Sequence, residues 1–179
     1  MKKFMLLSVL SVTLLMTSSC EKVKDALFKP FESPLSFDIT IPVITSTTAE
    51  VNMGETVVRY NLDSIIKKNT GEVFGSDIVG AMYINEIGIQ LMDNDANNNL
   101  GNFEYVKLSV SSGNTPATFG PFTMPETANS SATFSVSNGA NIKPYFSGSN
   151  VYFEMDGKAN TATTKALRAR VSATIRFEK

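Results

Sequence analysis

The sequence predicts an all-β fold, an antiparallel two-sheet β-sandwich with one short helix. Three observations carry this reading. From Leu35 onward, apolar residues recur at every second position in short runs, the period of a strand with one buried face. About eight such runs are separated by Gly-, Pro- and Asn-containing connections, without an internal repeat. Removing residues 1–19 from the 179 leaves 160, the size of one domain. Immunoglobulin-like and jelly-roll strand orders both fit the pattern. The buried Trp and paired cysteines of true immunoglobulin domains are absent, since the chain has no Trp and one Cys.

In chain order, Lys2 and Lys3 form a basic head before an apolar run, Phe4 to Met16, interrupted only by small hydroxyl residues. Thirteen residues are fewer than the ~20 a spanning helix needs, so the run reads as the core of a secretory signal. Thr17, Ser18 and Ser19 then precede Cys20. This arrangement resembles the lipobox of bacterial lipoproteins, with Thr17 where that family usually has Leu, and the general style is similar to lipoproteins of the Bacteroidota. The resemblance implies cleavage before Cys20, lipid attachment at Cys20, and a place in the cell envelope, at the outer membrane. Residues 20–34, charged and holding two prolines, then read as a tether, and 35–179 as the sandwich. A short interfacial helix over Val23 to Phe28, with Ala26, Leu27 and Phe28 toward lipid, is the alternative to a plain linker there.

Leu35 to Val43 alternates as a half-buried strand, and Pro42 marks a sheet edge because it cannot donate a ladder hydrogen bond. Strand pieces over 47–60 break at Gly54. Asp63 can cap a helix over Ser64 to Asn69 that stops at Gly71, with Lys67 and Lys68 complementing its dipole in the last turn. Ile84–Met92 and Phe103–Ser111 read as strands of a hairpin around an Asn/Asp-rich loop. A strand over 117–123 is ringed by prolines as an edge strand would be. Ala132 to Val136 follows, then a possible helical turn at Lys143 to Phe146. Residues 151–157 and 165–177 close the domain as a second expected hairpin, pairing Phe153 with Ala169, Val151 with Val171, Glu154 with Arg168, and Tyr152 with Arg170.

Composition excludes several kinds of chemistry. The part after residue 19 carries 14 basic and 17 acidic residues, a net of −3, too mild for a nucleic-acid partner. The chain has no histidine, which removes the usual general base and the commonest metal ligand together. Triads containing His are excluded with it. Acylation of Cys20 would leave no thiol, so the fold must rest on its apolar core.

Three constellations remain. Asp93, Asp95, Asn97, Asn99 and Glu104 fall at positions 1, 3, 5, 7 and 12 of a segment with the spacing of an EF-hand calcium loop. Asn98 stands where that loop has Gly, and the flanks are strands, so a plain polar connection is the competing account. Calcium is the only cofactor with any case; otherwise none is expected. Arg168, Arg170 and Arg176 line one face of the last strand and could meet an anionic partner, or pair with carboxylates across the sheet. Glu154 and Asp156 share a strand face and raise a carboxylate-only hydrolase acting on glycans. The reading that follows is a membrane-anchored envelope lipoprotein with a non-catalytic binding or structural domain and a protein or glycan partner. The alternatives are that hydrolase and a subunit of a surface assembly joined by strand addition.

Overall fold

Alternating apolar residues can be buried only if each strand turns one face to a second layer, and the molecule is built that way throughout. A computed structural model describes residues 27–113, 115–137 and 139–179. The expected signal segment, the lipobox-like residues and Cys20 lie outside the described residues. Eight strands are present: β1 (Phe31–Ile41), β2 (Val51–Arg59), β3 (Ala81–Leu91), β4 (Phe103–Ser111), β5 (Ala117–Thr123), β6 (Ser131–Ser135), β7 (Asn150–Ala159) and β8 (Leu167–Glu178). A helix, α1 (Leu62–Thr70), follows β2, and a 3-10 turn covers Lys143–Phe146.

The strands form two antiparallel four-stranded sheets, ordered β1-β8-β3-β6 and β2-β7-β4-β5. Four of the pairs, β1 with β8, β2 with β7, β3 with β6, and β4 with β5, are those of one long hairpin folded back on itself. Rolling that hairpin adds the β8–β3 and β7–β4 pairs and closes the sandwich. This is the jelly-roll order, which resolves the choice that the sequence left open.

The two expected hairpins are therefore corrected. β3 and β4 lie in opposite sheets, as do β7 and β8. Glu154 faces Glu55 and Ser109, and Phe153 faces Thr56 and Val110. Arg168 and Arg170 face Thr40 and Asp38 of β1 instead. The inward sets were assigned correctly: Leu167, Ala169, Val171, Ala173, Ile175 and Phe177 are at most 3% exposed. Across the core, Phe37 of β1 lies 4.2 Å, ring centre to ring centre, from Phe153 of β7 in the other sheet.

The strand β1 also begins earlier than expected. Phe31 to Pro34 pair with Phe177 to Thr174, so these residues belong to the sheet and not to a tether. Phe28, which the alternative interfacial helix would turn toward lipid, is buried against Phe31 and Phe74, with ring centres 6.2 and 5.9 Å away. Helix α1 is capped by Asn61, whose Oδ1 accepts from Ser64 N at 2.9 Å, and not by Asp63. Gly71 ends it in the left-handed conformation (φ 65°), as the sequence indicates.

Both open flanks of the sandwich are sealed. On one, β2 bulges between Asn52 and Glu55, and Gly54 (φ 121°) lies so close to β1 that a Cβ there would stand 2.4 Å from the Thr40 carbonyl oxygen. On the other, Phe122 stacks on Phe134 with ring centres 5.0 Å apart. Gly54→Ala should therefore strain the backbone and force the flank open, lowering stability by at least about 2 kcal/mol in denaturant unfolding. An unchanged midpoint would show that the flank yields without cost.

Candidate functional site

With eight antiparallel strands, the chain enters β1 and leaves β8 at the same end. Phe31 pairs with Phe177 there. The entry end also carries α1 and the residues between β6 and β7. The far end carries 42–50, 92–102, 124–130 and 160–166. The candidate sites divide between these two ends and the two outer sheet faces.

The Asn-rich loop forms the centre of the far end, and it is neither a five-oxygen cage nor a loosely solvated connection. Asn98, Asn99 and Asn102 are buried, at 2%, 7% and 5% exposure. Asn98 Oδ1 accepts from Thr164 N at 2.8 Å, and its Nδ2 donates to Asp95 Oδ1 and Thr164 Oγ1, each at 2.9 Å. The Asn102 carbonyl accepts from the N–H groups of Asn160 and Thr161 at 2.7 and 3.1 Å, and its Nδ2 donates to the Asn97 carbonyl at 3.0 Å. Asn99 Oδ1 accepts from Gly101 N at 3.0 Å. Buried amides are stable only when their donors and acceptors are met, and these are met partly within the loop and partly by the neighbouring connection. Thr163 extends the network, exchanging two 2.9 Å bonds with the Ile44 backbone.

The structure does not bring the five calcium candidates together. Asp93 Oδ1 accepts from Arg168 N at 2.9 Å, whereas Glu104 pairs with Lys158 at 2.5 Å. Asp95 Oδ2 is 2.7 Å from Lys165 Nζ, so an ammonium already neutralises that carboxylate. Among the described residues, no group of three or more acidic or thiol side chains could hold a metal ion. The Lys165 contact, followed by the Asn98 and Asn97 donors, holds the Asp95 carboxyl down to about 2. Beside this network, a shallow cleft of about 440 Å³ is lined by Asn97, Asn99, Glu126, Thr161 and Thr164.

On the outer face of the β1-β8-β3-β6 sheet, the arginines are separated in their roles. Arg170 makes a forked contact with Asp38 (Nε–Oδ1 2.8 Å, Nη2–Oδ2 3.2 Å), which holds that carboxyl below its ordinary value. Arg176 pairs with Glu178 at 2.6 Å and lies 5.8 Å over the Tyr83 ring. Arg168 contributes backbone bonds to the far-end loop through Asp93 and Met92. On the opposite sheet, Glu154 and Asp156 accept from a single amide, Asn52 Nδ2, at 2.6 and 3.4 Å. Partial burial, then the neighbouring Glu154 and Glu50 charges, raises Asp156. Neither carboxylate lines the three clefts named in this section.

At the entry end, a cleft of about 790 Å³ is lined by Tyr60, Asn61, Asp77, Asn141, Lys143 and Phe146, among others. A third, of about 590 Å³, lies by Tyr83, Asn85 and Arg176. The Tyr60 ring is edge-on to Phe146 at 4.7 Å, and its hydroxyl is enclosed without a hydrogen-bond partner. Burial pushes that phenol up to about 12. The sequence carries no signal for this orphan group, because Tyr60 sits just past a strand where a polar tip ordinarily reaches water.

No family model matches the chain, and no curated protein matches it. Solved structures similar to it include a capsid protein of cyanophage Pam1, at 14% identity and TM-score 0.34, over 85% of this chain and 88% of that one. Desmodium yellow mottle tymovirus gives 12% identity and TM-score 0.28, over 84% and 88%. A candidate secreted protein from Parabacteroides distasonis gives 13% identity and TM-score 0.39 over 79% of this chain, which spans 49% of that one. At these scores, the jelly-roll assignment rests on strand order alone.

Two outcomes follow from the site geometry. Tyr60→Phe removes a buried hydroxyl without a partner and should raise stability by about 1 kcal/mol, because such a group costs roughly 1–3 kcal/mol to bury. A lower melting temperature in the variant would show that the hydroxyl is satisfied. Asp95 titrates lower folded than unfolded, so its contribution is present above its unfolded pKa near ~3.9 and is lost as pH falls through about 2. Melting curves of Asp95→Asn should show a smaller loss over that acid range than the parent, and a lower melting temperature at neutral pH. Identical pH profiles would place the acid sensitivity elsewhere.

Proposed function

We propose that the chain is a lipid-anchored lipoprotein of the cell envelope, at the outer membrane, whose jelly roll is a non-catalytic binding module. Cys20 is the attachment point in this reading, and the far end is what the anchored domain presents to a protein or glycan partner. The observation that carries it is the opposition of the two ends: the chain enters beside Phe31 and Phe177, and four connections gather at the other end. That end offers neutral amides and hydroxyls, among them Asn94, Asn97, Thr127 and Thr161, all exposed on a base of buried asparagines. A fixed array of such groups suits hydrogen bonding to sugars or to a polar protein surface.

Non-catalytic binding is preferred to hydrolysis because Glu154 and Asp156 share an open sheet face and one bridging amide, with no cleft of those described around them. Assembly by strand addition is opposed by the edge strands themselves. β1 contains Pro34, β2 is bulged at Met53 and Gly54, β5 contains Pro121, and β6 has five residues. Each device discourages pairing with a further strand.

Cys20→Ser should move the chain from the membrane to the soluble fraction, and the mature parent should carry lipid mass on residue 20. Stable anchoring requires two or more acyl chains, since one gives only marginal binding. Equal membrane retention of parent and variant, with no lipid mass, would refute the anchor.

A further inference from the structure

We infer that the entry end is a membrane-docking surface, with Leu27 and Val73 inserting into the headgroup region of the bilayer that holds the anchor. The inference rests on the anchored reading above and gives it a geometry. Leu27 and Val73, each 61% exposed, are the most exposed large apolar side chains among the described residues. They flank one contact. The residue after each, Phe28 and Phe74, is buried, and these two rings lie 5.9 Å apart, edge to face. The pairing therefore turns one side chain of each dipeptide inward and leaves the other projecting from the same end.

The backbone enforces the arrangement. Gly71 (φ 65°) and Glu72 (φ 66°) are both left-handed, and the second is a conformation that a residue with a Cβ adopts at a cost. The Glu72 N–H is held by the Lys67 carbonyl at 2.8 Å. A connection indifferent to its surroundings would gain by turning Val73 inward or by exchanging it for a polar residue. Here it is kept outward beside a buried phenylalanine.

The bilayer is the occupant because of chain length and charge. Seven Cα steps separate Cys20 from Leu27, a reach of at most about 25 Å even when fully extended. The burial of Phe28 fixes where that short connection meets the domain, so an acylated Cys20 would hold this end against the lipid surface. Lys29 and Lys68, both exposed and in no ion pair among the described residues, lie near the apolar pair in sequence, as suits anionic headgroups; Glu72 and Asp77 are the acids of the same connection, and Asp63 is paired with Lys67.

The test uses the absence of any cysteine besides Cys20. Val73→Cys and, as a far-end control, Thr47→Cys are each made in the full chain, labelled with an environment-sensitive fluorophore, and reconstituted in vesicles of phosphatidylethanolamine and phosphatidylglycerol. Both positions are exposed, so neither substitution disturbs the core. The expected result is a blue-shifted emission at position 73 that nitroxide-bearing lipids quench, with an aqueous, unquenched emission at position 47. Adding Leu27→Glu to the Val73→Cys chain should return its emission toward the aqueous value. A lipidated, vesicle-bound chain whose label at 73 behaves as the label at 47 overturns the docking and leaves the anchor standing. A chain without lipid mass that stays off the vesicles overturns both.

Discussion

Each strand of this chain has one apolar face, and only a second sheet can cover it. No disulfide can relieve that requirement in a chain with one cysteine, so two four-stranded sheets must meet face to face across a single core. The Phe37–Phe153 contact at 4.2 Å marks the middle of that core, one ring from each sheet. Everything outside it is constrained by the need to keep the two layers in register. The Gly54 approach to Thr40 closes one flank, the Phe122–Phe134 stack closes the other, and the buried asparagines close one end.

The sequence was informative about faces and silent about partners, for a physical reason. Period-two burial is a property of one strand, and it placed Leu167 to Phe177 inward without reference to any neighbour. Which strand lies alongside depends on the path of the connection. A seven-residue link such as 160–166 can turn back within a sheet or cross to the other one. Here it crosses, because a rolled hairpin pairs β8 with β1 and β3. The same logic separates Ile84–Met92 from Phe103–Ser111. By contrast, the short strand at 117–123, the stop at Gly71 and the helical turn at Lys143 were legible, since turn chemistry and proline placement are local. The displaced helix cap shows the limit of local reading, because Asn61 and Asp63 are both good capping residues two positions apart.

The far-end loop shows why a motif is weaker evidence than its surroundings. The spacing of Asp93 to Glu104 matches oxygen ligands, but those oxygens are met by donors of the loop itself and by groups from elsewhere in the chain. Thr164 lies 66 residues from Asn98, and Lys165 brings the positive charge that neutralises Asp95. Asparagine has both a donor and an acceptor, so a run of it can satisfy connections of irregular shape where carboxylates alone would repel one another. The density of Asn in this segment was the usable signal, and it pointed to a buried amide network as much as to a cation.

An even number of antiparallel strands gives the domain a polarity that no single residue encodes. Phe31 and Phe177 are brought together, so the first and last strands end side by side and every second connection falls at the opposite pole. A seven- or nine-stranded version of the same sheets would send the last strand to the far end instead. For a domain held by its N-terminus, the even count separates the surface nearest the attachment from the one free to meet a partner. Burial differs at the two poles in degree: at the entry end Leu27 and Val73 project furthest, while at the far end Val43 and Met92 are less exposed and stand among amides, hydroxyls and carboxylates over an apolar and amide interior. The chemistry of each pole is thus set by loops, but the assignment of loops to poles is set by strand count.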